Sequence, residues 1–230
     1  MFRLFVFIIL AVFTLSSCDF DDDDDNSLSN FWVDFGLTDN VDESANSYTI
    51  KLDDGPVLYP VTTLVPDFGI KADQRLLVNF TILGDKKITN TDEEYYVRIN
   101  SLKEILYKDI FEITEETEDS IGNDPVHVKK AWLTDNMLTF EMTYYGNSQI
   151  HYINLVKQPG ELAATDEPVQ LELRHNNRND EPYLQLTAFV TFKLDNIKIA
   201  GQDSVKFKVT GVDFNNTKYE DTGVFYYHNN

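Results

Sequence analysis

The chain has 230 residues and a formal net charge of −20, from 39 acidic against 19 basic side chains. That balance excludes recognition of nucleic acid through its phosphates, which needs clustered Lys and Arg, and disfavours electrostatic adhesion to anionic lipid. With 16 Phe and 12 Tyr against 2 Trp and 3 Met, and with many β-branched residues, the chain has material for a substantial core and is not globally disordered.

Arg3 opens the chain with a positive charge. Leu4 to Leu15 is apolar apart from Thr14, and the small residues Ser16 and Ser17 precede Cys18, the only cysteine. This is the layout of an export signal. The apolar run is shorter than the ~20 residues that span a bilayer, and no later run matches it, so no transmembrane helix is expected after cleavage. An ordinary signal peptide would leave Cys18 as an unpaired thiol in an exported chain, where cysteines usually pair. The tetrapeptide Leu15-Ser16-Ser17-Cys18 resembles the lipobox of bacterial lipoproteins. That resemblance makes residues 1–17 the signal peptide and Cys18 the mature N-terminus, carrying diacylglycerol on sulfur and a further acyl chain on nitrogen. Two or three chains anchor stably where one is marginal. Residues 18–30 then form a tether, self-repelling through Asp19, Asp21, Asp22, Asp23, Asp24 and Asp25.

Structured sequence begins at Phe31-Trp32-Val33. Strands are predicted at Phe31–Phe35, at Tyr48–Leu52 ending in Asp53-Asp54-Gly55-Pro56, at Val57–Val65, at Arg75–Leu83 closed by Gly84-Asp85, and at Tyr95–Ile99. Pro60 marks an edge or a bulge. In Leu102–Ile113 the spacing of Leu102, Ile105, Leu106 and Ile110 fits a helix or a bent strand. Five or six short strands are solved naturally by a small Greek-key barrel, here assigned to residues 31–118.

The acidic, polar segment Glu115–Pro125 reads as the boundary. Beyond it seven strands are predicted: Val126–Leu133, Met137–Tyr145, Ile150–Val156, Val169–His175, Tyr183–Leu194, Val205–Phe214 and Gly223–Tyr227. Leu184, Leu186, Ala188, Val190, Phe192 and Leu194 share one face. Seven strands with regular turns suggest an immunoglobulin-like β-sandwich over 119–230, without the usual pair of bridging cysteines. The expected class is therefore all-β, an OB-like barrel followed by a sandwich.

Three stretches, Trp132–Leu138, His151–Val156 and Leu171–Asn177, resemble the NigD-like lipoproteins of Bacteroidetes. The resemblance implies an N-terminal OB-type barrel and a C-terminal β-sandwich behind a lipoprotein signal. A bacteriocin-immunity role has been suggested for that family, and no functional residue is carried over from it. The Asp run after Cys18 resembles the acidic signals that send Bacteroidetes lipoproteins to the outer face of the outer membrane. In other Gram-negative lineages an Asp after the lipidated Cys would retain the protein at the inner membrane.

No motif announces catalysis or a cofactor. Four histidines, His127, His151, His175 and His228, lack zinc-ligand spacing. His151 and His175 can meet across the sandwich, in a structural hydrogen bond or as metal ligands. Asp53-Asp54-Gly55 and Asn176–Asp180 offer oxygen ligands for calcium but do not match an EF-hand loop, and Asp, Asn and Gly are what tight turns require. There is no nucleophile elbow or phosphate-binding glycine loop, and a catalytic carboxylate pair cannot be singled out. Asp119-Ser120-Ile121 and Asp203-Ser204-Val205 resemble a short O-glycosylation motif of Bacteroidetes exported proteins. Tyr95-Tyr96, Tyr144-Tyr145 and Tyr226-Tyr227 would each point one ring outward from a strand. The sequence reading is a non-enzymatic, lipid-anchored outer-membrane protein, surface-exposed or alternatively facing the periplasm, that binds a protein, peptide or glycan, with no cofactor, no metal and no nucleic acid. A bacteriocin-immunity protein, or a glycan-binding or hydrolase accessory protein, is the alternative.

Overall fold

The computed structural model describes residues 30–227, apart from 43, 46, 90, 91, 161 and 163–166. The signal segment, Cys18, the six tether aspartates and His228 lie outside the described residues.

The first unit is a closed barrel of β1 (Trp32–Asp42), β2 (Ser47–Leu52), β3 (Val57–Thr63), β4 (Arg75–Ile88) and β5 (Glu93–Glu104), in the order β1-β2-β3-β5-β4. β4 closes it on β1, from Trp32 opposite Phe80 to Leu37 opposite Arg75. Alternation places Leu76, Val78, Phe80 and Ile82 of β4 inside, against Ile50, Leu58, Val97 and Ile99. The register of β3 against β5 slips between Pro60 and Thr62, the bulge that a residue without an N–H demands. A Cβ on Gly36 would stand 2.5 Å from Ile50 Cγ2 and 3.0 Å from Lys51 O, so only glycine lets β1 and β2 approach there. β4 does not stop at Gly84-Asp85. It runs on to Ile88 through register shifts beside Gly84 and Asp85, because its hairpin with β5 projects beyond the barrel.

The chain leaves the barrel sooner than its acidic stretch suggested. β6 (Leu106–Asp109) and β7 (Phe111–Glu112) follow at once, then the single turn α1 (Glu118–Ile121), β8 (His127–Thr134), β9 (Met137–Gly146), β10 (Tyr152–Lys157), β11 (Val169–Asn176), β12 (Leu184–Lys193), β13 (Ser204–Val212) and β14 (Lys218–Tyr226). β6 pairs with β12 and β7 with β10, both parallel. The expected border at 118/119 therefore lies near Ile105, and the helix-like spacing of 102–113 is a bent, extended crossing. Ile105, Ile110 and Ile113 are buried at successive bends of that crossing. One sheet has the order β14-β13-β11-β10-β7, the other β6-β12-β9-β8. All seven strands predicted in the second half are present, and β6 and β7 add two more. Phe140, Phe192, Leu155, Leu173, Val190 and Phe207 fill the space between the sheets, and no disulfide is needed to hold them.

Candidate functional site at the junction of barrel and sandwich

The two units meet on a buried ion pair. Arg75 begins β4 with its side chain fully buried, and its Nη1 and Nη2 donate to Asp53 Oδ1 and Oδ2 at 2.5 Å each. Its Nε reaches Thr191 Oγ1 and Nη2 reaches Thr139 Oγ1, both at 3.3 Å. These two threonines belong to the sandwich and lie 2.9 Å apart. Asp53, just after β2, also accepts from Trp132 Nε1 at 3.1 Å, and its backbone N–H donates to Phe35 O. Phe35 packs against Trp132 and Phe189 at ring distances of 5.2 and 5.1 Å, with the Arg75 guanidinium over its face. A charge-assisted bidentate pair with four of the five guanidinium N–H groups engaged fixes orientation as well as contact. The exposed pair Lys51–Asp135 spans the same junction at 3.1 Å and adds little.

Two clefts open beside this knot and share Asp34 and Asp54. The first, of about 420 Å3, is the end of the barrel where β1 begins and β2 runs into β3. Trp32, Phe80, Tyr95, Leu58 and Pro56 wall it, and no Lys or Arg lines it among the described residues. The Trp32 and Phe80 rings stack at 6.3 Å. The second, of about 560 Å3, runs between barrel and sandwich past Asp53, Trp132, Thr134 and Asp135, with Lys130 over the Trp132 ring. Asp34 is half-buried, and its one hydrogen bond among the described residues comes from the adjacent Phe35 N–H. Burial pushes its carboxyl above the ordinary value. The neighbouring charges of Asp54 and Asp53 push the same way, against a backbone hydrogen bond and a weaker pull from Arg75. Asp54 is exposed and makes no hydrogen bond among the described residues. A third cleft, of about 320 Å3, lies elsewhere on the barrel near Tyr48 and Phe68. Asp42, which lines it, is satisfied by the Ser44 hydroxyl and the Ser44 and Ala45 N–H groups.

The histidine pair forms a separate, buried chain in the sandwich. His151 Nδ1 and His175 Nε2 are 2.9 Å apart; His151 directly precedes β10 and His175 lies on its neighbour β11, so they meet along one sheet rather than across the two. His175 Nδ1 meets Pro125 O at 3.2 Å, and His151 Nε2 meets Asp180 Oδ2 at 3.2 Å. Pro125 O and the Asp180 carboxylate, at the two ends of this chain, are acceptors, so each ring turns an N–H outward to them. Tyr144 covers both imidazoles at 4.7 and 5.2 Å. Burial, then the charge of His151, hold His175 below the usual histidine value. N–H groups of Asn147 and Ser148 hold the Asp180 carboxyl far below the carboxylate range, against its burial. A Cβ on Gly146 would sit 3.0 Å from the His151 ring. This is a closed structural network.

Of the other residues singled out in the sequence, His127 pairs with Asp213 at the surface. Asp53 is engaged by Arg75 and is not free to hold calcium. In Asn176–Asp180 the Asn176 and Asn177 side chains accept backbone N–H groups within the turn, and Arg178 and Asn179 adopt positive φ. Tyr96, Tyr145 and Tyr226 point outward from three different strands, while Tyr144 and Tyr227 are half-buried. The sequence reading missed Arg75, Trp132 and Asp34 as a group. Their meeting depends on contacts between β1, β4 and β8 that no local motif records.

The fold and junction define a two-unit β protein, an OB-type barrel locked to a sandwich. The NigD-like N-terminal OB domain family matches residues 39–105 and the NigD-like C-terminal beta sandwich domain family matches residues 109–224. The chain belongs to the NigD-like family. Neither family description names a catalytic activity. Among solved structures, the chain is similar to a protein of Parabacteroides distasonis provisionally named toxin-related, at 28% identity and TM-score 0.71, over 86% of this chain and 94% of the other. A NigD-like immunity protein of Bacteroides caccae shares the fold at 20% identity and TM-score 0.61, over 85% and 94%. So does a Bacteroides fragilis protein provisionally named a lipoprotein, at 12% identity and TM-score 0.60, over 86% and 99%. No curated protein matches the chain.

Proposed function

We propose that this chain is a lipid-anchored, non-enzymatic binding module of the cell envelope. It is held at the outer membrane through Cys18 and presents its junction clefts to a protein, peptide or glycan beyond the tether. The observation that carries the reading is the pair of preformed clefts beside a junction locked by buried Arg75 and Asp53. A rigid concave surface between two units is where ligands bind at least ordering cost. The lipobox-like end of residues 1–18 and the lipoprotein name of one neighbour support the anchor. Net charge argues against nucleic acid. Metabolic labelling with palmitate in cells tests the anchor: Cys18→Ala loses the label and leaves the membrane fraction. Labelled, membrane-bound Cys18→Ala protein would refute it. Screening the purified chain against peptides, glycans and envelope proteins tests the module. Turnover abolished by one point mutation would overturn it.

A protective role against a bacteriocin is the second reading, favoured by the toxin-related and immunity names of two neighbours. A deletion strain should then lose resistance to its own or neighbouring toxins, and unchanged resistance would remove this reading.

A further inference from the structure

We infer that the barrel-mouth cleft walled by Trp32, Phe80 and Tyr95 and edged by Asp34 and Asp54 receives a basic side chain, Arg or Lys, of a partner polypeptide. The inference rests on the binding-module reading and names the chemistry of its ligand.

The cleft has two chemistries that are normally kept apart. Its floor is barrel core, with Leu58 and Phe80 buried at its base, and Trp32 and Tyr95 stand at its sides. Such walls suit the methylene stem of a long side chain, and the ring faces attract a cation. Its rim is acidic. No Lys or Arg lines this cleft among the described residues: the Arg75 guanidinium is held by both oxygens of Asp53, and Lys130 lines the second cleft, over the Trp132 ring. The Tyr95 hydroxyl donates to Glu93 at 3.1 Å. Burial first, and then the charges of Asp54 and Asp53, raise the Asp34 carboxyl. An arriving guanidinium or ammonium would relieve the repulsion between Asp34 and Asp54, whereas an anion or a neutral sugar would not. A polypeptide fits better than a free amine because the cleft continues into the second one, also lined by Asp34 and Asp54. Backbone flanking the basic residue can lie there.

The test is calorimetric titration of the full chain in detergent with the capped tripeptide acetyl-Gly-Arg-Gly-amide, at low and physiological salt. The matching norleucine peptide and free spermidine serve as controls. Expected are saturable heat with the arginine peptide that weakens with salt, none with norleucine, weaker binding of spermidine, and affinity lowered about tenfold or more in Asp34→Asn and in Asp54→Asn. Asp54→Asn lies on an exposed turn and keeps the test valid if Asp34→Asn alters the fold, which its circular dichroism reports. Equal binding of the norleucine peptide, unchanged affinity in both variants, or no saturable heat would overturn the inference. Spermidine binding as tightly as the peptide would overturn the polypeptide as its source. If another ligand saturates the chain with affinity unchanged in both variants, this site is refuted and the binding-module reading stands. If no ligand of any class saturates the chain, both fall.

Discussion

Asp53 and Asp34 are neighbours across the β1–β2 hairpin and have opposite fates. Asp53 is buried, and its oxygens accept from Arg75 twice and from Trp132 once. Asp34 stands in a half-buried wall with one short backbone hydrogen bond and two like charges nearby. A buried carboxylate is stable only when its lone pairs and charge are answered. At Asp53 they are answered within the chain, which locks barrel to sandwich. At Asp34 they are not, and a group that lowers stability where a cleft opens is the kind that binding sites retain.

The largest expected effect comes from breaking the closed side. Arg75→Ala leaves Asp53 buried without its partner and should cost about 3–5 kcal/mol, read as the urea midpoint. Arg75→Met combined with Asp53→Leu should cost much less than the sum of the single changes, and strict additivity would contradict the coupling claimed for the pair. Gly36→Ala forces a methyl onto Ile50 and should cost about 1–3 kcal/mol, with the loss in the barrel rather than the sandwich.

The histidine chain, also closed, should show itself through acid. His175 has a depressed folded value, so the unfolded chain binds more protons there. Its contribution to stability is complete above about pH 6.5 and is lost as pH falls below that. Asp180, also depressed, adds a second loss below its unfolded value of 3.8. His175→Gln should remove the first step and leave the second. A wild-type stability profile flat from pH 7 to 5 would contradict the depressed value of His175.

The smallest effect has the opposite sign and sharpens the contrast. The raised folded value of Asp34 means that the folded chain binds more protons there, so stability falls as pH rises from the unfolded value through the folded one. Asp34→Asn should therefore raise the urea midpoint at pH 7 and change nothing below the unfolded value. A loss of stability at pH 7 would place Asp34 among the closed groups.

Much of the fold was legible in the sequence, because strands that bury one face must alternate. The strand over Leu184–Leu194 was readable for that reason, although only its second half, Val190, Phe192 and Leu194, is buried and Leu184 and Leu186 are exposed; the bulge at Pro60 was readable because proline has no N–H to give. The unit border was not. The acidic stretch at 115–125 carries every surface mark of a linker, while the true crossing at Ile105 is written in isoleucines that look like one amphipathic run. The meeting of His151 with His175 was legible as a possibility, since both lie near strand ends, but Asp180 read as a turn residue or a calcium ligand and not as a partner of His151. The junction was invisible. Arg75 stands 22 residues from Asp53, 64 from Thr139 and 116 from Thr191, and Asp53 and Asp54 read alike in sequence although only one of them is buried against a guanidinium.

The chain's two tryptophans mark the two sides of this comparison. The Trp132 indole N–H is tied to Asp53 in the locked junction, while Trp32 walls the open cleft. Nuclear magnetic resonance of the two indole N–H signals, with and without the arginine tripeptide, tests the account most directly. The account predicts slow hydrogen exchange at Trp132 in the free protein, fast exchange at Trp32, and a saturable shift of the Trp32 signal on adding peptide. Equal exchange at both indoles, or a Trp32 signal that the peptide leaves unmoved, would contradict it.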